Sequence, residues 1–275
     1  MRDERRAVDD VLMVYSFIRL SSNFRSVTIT TIAATPWLAS FKPNSRARVR
    51  LICFPYAGGG AHIYRAWPDG LPASIEVCPI QLPGRGARMM EAPFTQMSSL
   101  VEAAAEALLP YLDKPFACFG HSMGALVSFE FARRLRSQNG PQPNHIFVSG
   151  CFAPDIPDPD PLHTLPDAKL LAEVRRLNGI PQEAQENAEL MRLMLPTLRA
   201  DCTVTETYTP TQEPPLDCPI SAFGGLQDQM VSRDDLEGWR QQTTASFALR
   251  MFPGDHFFLQ TAQPVLLQIL ARELQ

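Results

Sequence analysis

The chain has 275 residues, of which 45% are hydrophobic and 20% charged, a balance that fits a globular fold and excludes a disordered chain. Its net charge of −4, its pI of about 5.8 and the lack of any basic block or aromatic-basic stripe exclude nucleic acid as an expected partner. At this length one α/β domain can close a large core.

Residues 1–35 read as an N-terminal extension outside the core fold, which occupies 36–275. MRDERRAVDD is mixed in charge, and the apolar run VLMVYSFI that follows ends at Arg19. That run is too short to cross a bilayer and has no positive leader or cleavage site around it. Neither a membrane span nor a signal peptide is expected, and the cytoplasm is the expected address.

From there the chain alternates. RARVRLICFPY (46–56) turns from polar to continuously apolar and stops at Pro55, the pattern of a buried parallel strand. IEVCPIQLPG (75–84) is a second strand closed by Pro-Gly, and SSLVEAAAEALLPYL (98–112) is helical in composition. KPFACFG (114–120) is strand-like again. GALVSFEFARRLRSQNG (124–140) is an amphipathic helix, its arginines late and Asn139-Gly140 as its stop. HIFVSGCF (145–152) is a further strand.

The rhythm breaks at PDIPDPDP, whose prolines exclude a central strand, and two polar helical stretches follow at 167–177 and 183–195. Residues 154–205 therefore read as a helical insertion. The alternation resumes with strand 218–225, helix 234–242, strand 246–252 and a last helix from about 262 to 273. This predicts an α/β fold with a mostly parallel central sheet, helices on both faces and the insertion laid over it.

FGHSMG (119–124) places Ser122 between a strand and a helix, in a GxSxG frame. At such a turn the serine is strained, the glycines leave room, and the hydroxyl stands at a helix N-terminus that favours developing negative charge. Ser122 is the candidate nucleophile. A hydroxyl needs a base, and His256 in FPGDHFF, after the last strand, is the candidate. Asp228 in GGLQDQMV is the candidate acid that would hold the imidazole tautomer, with Asp255 and Asp201 as competitors. For the oxyanion hole, the Met123 amide is one donor. The other comes from YAGGG, with Ala57 preferred and Gly58 the alternative. Six cysteines sit mostly in apolar runs without CxxC spacing, and the histidines form no ligand pattern. Buried thiols are expected, and no metal site.

Taken with PW (36–37), LICFPYAGGG (51–60), QLPGRGAR (81–88), LPTLRAD (195–201) and ETY (206–208), these motifs make the chain resemble the type II thioesterases of nonribosomal peptide and polyketide biosynthesis, in the α/β-hydrolase superfamily. The resemblance covers about residues 37–275. It implies Ser122, Asp228 and His256 as the triad, Ala57 and Met123 as oxyanion amides, and a lid over an acyl pocket at 154–205. It also implies acyl thioesters on the phosphopantetheine arm of carrier proteins as substrate, with no cofactor. A chain-releasing thioesterase and a general carboxylesterase are the alternatives. Within the insertion, Met191 and Met194 are the candidates to line the acyl pocket, since methionines adapt to irregular surfaces. A monomer is expected.

Overall fold

The computed structural model describes residues 35–38, 41–156, 161–177 and 187–275. They fall within one compact unit, Ala33–Gln275. Except for Thr35, the expected N-terminal extension lies outside the described residues. So do Pro157 and Pro159 of the insertion and residues 178–186.

The apolar runs become six strands: β1 Val49–Phe54, β2 Ile75–Pro79, β3 Phe116–His121, β4 His145–Ser149, β5 Ile220–Gly225 and β6 Phe247–Phe252. They form one sheet in the order β2-β1-β3-β4-β5-β6, with every neighbouring pair parallel. β1, β2, β3 and β5 are buried at every position, which is why their sequences run apolar without alternating. Arg50 and Glu76 interrupt those runs, and they face each other in register and pair at 2.6 Å. Each charge is thereby satisfied where water is excluded.

The helices are α1 Trp67–Gly70, α2 Met97–Leu108, α3 Met123–Ser137, α4 Asp167–Arg176, α5 Ala188–Glu206, α6 Arg233–Glu237, α7 Phe258–Thr261 and α8 Gln263–Glu273. Two differ from the spans expected of them because the last turn tightens. The helix read as 98–112 ends at Leu108 and passes into a 3-10 turn at Leu109–Tyr111, because Pro110 has no amide to continue the α pattern. That read as 234–242 is α6, capped by Ser232 and Asp235, followed by a 3-10 segment at Gly238–Gln242.

Alternate strand residues build the core on each face of the sheet. On one face Leu51, Cys53, Phe119, Phe147 and Phe223 meet Leu266, Leu267 and Leu270 of α8. Trp67 stands edge-on to both Tyr64 and Phe119, with centroids 4.8 Å apart in each pair. All six cysteines are buried thiols.

The insertion is helical where it is described. Leu170 and Val174 of α4 pack against Met191, Leu195, Leu198 and Cys202 of α5. α5 runs eleven residues beyond the expected stop at 195 and carries Pro196 inside it. A proline removes one helical hydrogen bond, and the packing of Leu195, Leu198 and Cys202 on either side carries the helix through.

Candidate active site

The strand order reverses between β1 and β3, and open parallel sheets leave a crevice outside the carboxyl ends of the strands at such a point. The loop after β1 carries Ala57 and the turn after β3 carries Ser122. Phe54 and Gly120, at the ends of those strands, are partners in register. Ser122 has φ 52° and ψ −122°, a left-handed conformation unusual for a residue with a side chain. Its amide donates to the Ser149 carbonyl at 2.7 Å, which holds the turn against β4.

The two glycines of the frame are required by contact. A Cβ on Gly120 would stand 1.9 Å from the Gly124 carbonyl oxygen, and one on Gly124 would stand 2.2 Å from the Phe54 carbonyl oxygen. The tight turn presses α3 onto the end of β1, so it brings the Ser122 and Ala57 loops together.

β5 and β6 are also neighbours, and the loops after them are tied to each other. The Gln227 amide donates to the Gly254 carbonyl at 2.9 Å, and the Gly254 amide donates to Gln227 Oε1 at 2.6 Å. A Cβ on Gly225 would stand 2.2 Å from the Asp255 carbonyl oxygen, so the approach depends on glycine there too. The result is a hydrogen bond between His256 Nδ1 and Asp228 Oδ2 at 2.8 Å, with side chains 5% and 0% exposed. Asp228 Oδ1 accepts the amides of Met230 at 2.8 Å and Val231 at 3.2 Å. Desolvation works to raise the Asp228 pKa, but the His256 hydrogen bond and charge, together with those two amides, hold it below its ordinary value.

The competing carboxylates go elsewhere. Asp255 Oδ1 accepts the Phe257 amide at 2.9 Å. Asp201 pairs with Arg85, its Oδ2 2.5 Å from Nη1 and its Oδ1 2.7 Å from Nη2. Asp201 Oδ2 also accepts the Gly58 amide at 2.7 Å. That contact removes Gly58 as a free donor and leaves Ala57 as the oxyanion candidate of its loop.

Ser122, His256, Ala57 and Met123 line one cavity of about 130 Å³, whose walls include Val174, Leu177, Leu198 and Cys202 of the insertion. Met194 is on that wall. Met191 is 2% exposed inside the α4–α5 cluster, away from the cavity lining.

A family model described as thioesterase domain matches residues 49–274. The chain belongs to the thioesterase family. It is 50% identical over 250 residues to "linear gramicidin dehydrogenase LgrE" of Brevibacillus parabrevis, a match covering 90% of this chain and 95% of that one. The solved RedJ thioesterase from the prodiginine biosynthetic pathway of Streptomyces coelicolor is 40% identical with a TM-score of 0.81, covering 91% of this chain and 100% of the other. YbtT, a type II thioesterase from the yersiniabactin NRPS/PKS pathway, is 30% identical with a TM-score of 0.74, covering 84% and 94%. The first name speaks of redox chemistry. The family model and both structures speak of thioesters, and a hydroxyl that shares its cavity with an imidazole–carboxylate pair suits the latter. The resemblance to type II thioesterases read in the sequence is borne out by these matches.

Two features of this thioesterase site were not legible beforehand. His121 is fully buried, its Nδ1 2.9 Å from Ser149 Oγ and its ring centroid 5.0 Å from that of His256. Burial, with the His256 charge nearby, pushes its pKa well below the ordinary value, so it packs behind the site as a neutral ring. Glu206 lines the cavity with its side chain 4% exposed, and its Oε2 accepts from the His163 amide at 2.7 Å and lies 2.6 Å from His163 Nδ1. The ETY motif was the available signal for Glu206. Nothing in the motif says that its carboxylate lies at that cavity.

Proposed function

We propose that this thioesterase hydrolyses acyl thioesters carried on the phosphopantetheine arm of acyl or peptidyl carrier protein domains, clearing misprimed or stalled groups in nonribosomal peptide or polyketide synthesis. The observation that carries the reading is the His256–Asp228 pair, at 2.8 Å, opening on the same apolar cavity as the strained Ser122. The names of the similar structures supply the pathway class.

In the proposed cycle Asp228 accepts from Nδ1–H of His256, leaving Nε2 free to take the Ser122 proton. Ser122 Oγ attacks the thioester carbonyl, and the oxyanion meets the Ala57 and Met123 amides. The intermediate collapses, and His256 returns the proton to the departing pantetheine sulfur. Water, deprotonated by His256, then attacks the acyl-serine ester. A second collapse releases the carboxylic acid and restores the serine hydroxyl. Every proton is carried by these groups and water, so the cycle uses no cofactor.

The cavity size bears on the substrate. About 130 Å³ approaches the roughly 150 Å³ cavity that accepts a benzene ring. The apolar wall formed by Val174, Leu177, Met194 and Leu198 suits an acyl chain. Among the described residues no helix is long and apolar enough to cross a membrane.

The experiment has two arms. A fluorophosphonate probe with peptide mapping should label Ser122 in the wild type and nothing in Ser122→Ala. Steady-state hydrolysis should give a higher kcat/KM on a carrier-bound acyl group than on the same acyl group as a free small thioester. Labelling at another serine refutes the nucleophile. Equal kcat/KM values for the two substrates refute carrier recognition.

A further inference from the structure

QLPGRGAR and LPTLRAD, two motifs outside the triad, meet in space. Arg85 and Asp201 are 8% and 3% exposed and form a two-pronged ion pair across 116 residues of sequence. A pair so deeply buried gains little net stability from its Coulomb attraction alone, because both charges were taken out of water. What distinguishes it is the backbone it grips. Asp201 Oδ2 accepts the Gly58 amide at 2.7 Å, and Arg85 Nη1 donates to the Gly59 carbonyl at 3.0 Å.

Those two groups belong to the turn that carries Ala57. The Gly59 amide donates to the Tyr56 carbonyl at 2.9 Å, and Gly58 at the third position has φ +75°, as a type II turn requires. The soft coordinate of such a turn is its central peptide, the one joining Ala57 to Gly58. Types I and II differ by a flip of that unit, through ψ of the second residue and φ of the third. In the observed form the Gly58 N–H meets a carboxylate; flipped, the Ala57 carbonyl would replace it and meet that charge with its own negative end.

The negative member of the pair therefore holds the turn's donor while the positive member holds its acceptor, both by charge-assisted hydrogen bonds. The same helical turn adds Thr197, whose hydroxyl donates to the Gly84 carbonyl at 2.7 Å, so the Arg85 loop is gripped from α5 as well.

We propose that Arg85 and Asp201 are positioning residues of the oxyanion hole: the ion pair pins the Gly58 N–H and the Gly59 C=O, and with that half of the turn fixed, the adjoining Tyr56–Ala57 peptide, which carries the Ala57 N–H, is held in place before the thioester arrives. This rests on the thioesterase reading above and goes beyond it by giving the two motifs a task in the reaction. Aiming matters because oxyanion donors act mainly on the transition state, and a misplacement of about 1 Å can cost on the order of a hundredfold in rate.

The test compares wild type with Asp201→Asn and with the double variant Arg85→Met/Asp201→Leu, using a small acyl thioester as substrate. Asn keeps an oxygen for the Gly58 amide but loses the charge. The double variant removes both charges and leaves no buried ion unpaired, so it costs the fold less than an unpaired charge would, while the Gly58 N–H and the Gly59 C=O lose their partners. The expected result is a fall in kcat of about tenfold for Asp201→Asn and about a hundredfold for the double variant, with KM within about twofold. Affinity for an acyl boronic acid, whose tetrahedral adduct places an oxygen in the hole, should fall with kcat. Affinity for a non-hydrolysable thioether analogue should hold. A folded double variant with wild-type kcat overturns the proposal, and so does a loss confined to KM. An active wild type with unaffected variants refutes this inference alone, whereas a wild type without thioesterase activity refutes the functional reading and this inference together.

Discussion

Asp228→Asn isolates the contribution of one proton acceptor. Asp228 Oδ1 accepts two backbone amides, from Met230 and Val231, and Oδ2 faces His256 Nδ1 at 2.8 Å. An asparagine has one oxygen and one NH₂. The two amide donors claim the oxygen, which turns the NH₂ toward the imidazole. Nδ1 must then accept, so the ring proton moves to Nε2, and Nε2 can no longer take the Ser122 proton. The fold has little reason to change, because the shape is kept and each buried group still has a partner. The expected loss in kcat is about 10⁴-fold, or about 5.5 kcal/mol of transition-state stabilisation, against a shift in unfolding free energy of about 1 kcal/mol or less. Stopped-flow thioester hydrolysis and urea unfolding on one preparation measure both numbers. A kcat within tenfold of wild type would show that His256 finds its tautomer without Asp228, and the acid assignment would fail.

Gly124→Ala would set a Cβ 2.2 Å from the Phe54 carbonyl oxygen, so it should lower stability by about 3 kcal/mol in urea unfolding, and a neutral result would refute the contact. His121 has a folded pKa depressed by burial, so below about pH 6.5 the unfolded chain takes up a proton that the folded chain refuses. Stability from this group is intact above that pH and falls by up to about 1.4 kcal/mol per unit as the pH drops toward the folded value. His121→Asn should flatten the slope between pH 7.5 and 5.5, and parallel slopes for the two proteins would refute it. Met194→Trp should shift acyl preference toward shorter chains in competition assays, since Met194 lines the cavity. Met191→Ala should instead cost about 2–5 kcal/mol of stability and leave the acyl profile unchanged, because Met191 is buried between α4 and α5. The opposite pattern would exchange their roles.

Much of the scaffold was legible in the sequence because its causes are local. Strands buried on both faces write themselves as apolar runs, so β1, β3 and β5 could be placed within a few residues. The turn at Ser122 was legible for the same reason: a serine between glycines, behind an apolar strand and ahead of an amphipathic run, is a constraint felt within five residues. Element ends were less so. Pro196 looks like a stop to any local rule, and α5 continues through it because apolar contacts with α4 outweigh one lost hydrogen bond.

The partners were decided only by the fold. Asp201, Asp228 and Asp255 are one residue type, each on the C-terminal side of Ser122, and what separates them is the donor that each carboxylate meets: a guanidinium and the Gly58 amide, an imidazole, and the Phe257 amide. Gly58 and Ala57 are neighbours of nearly equal promise until a side chain from α5 takes one of their amides. Met191 and Met194 are three residues apart on one helix, and only the direction of the neighbouring elements sends one into the cluster and the other to the cavity. Periodicity says which residues share a face, and local chemistry says what a residue can donate or accept. Asp228 with His256, and Asp201 with Arg85 and Gly58, join segments far apart in the chain, and the packed sheet and helices bring them within 3 Å.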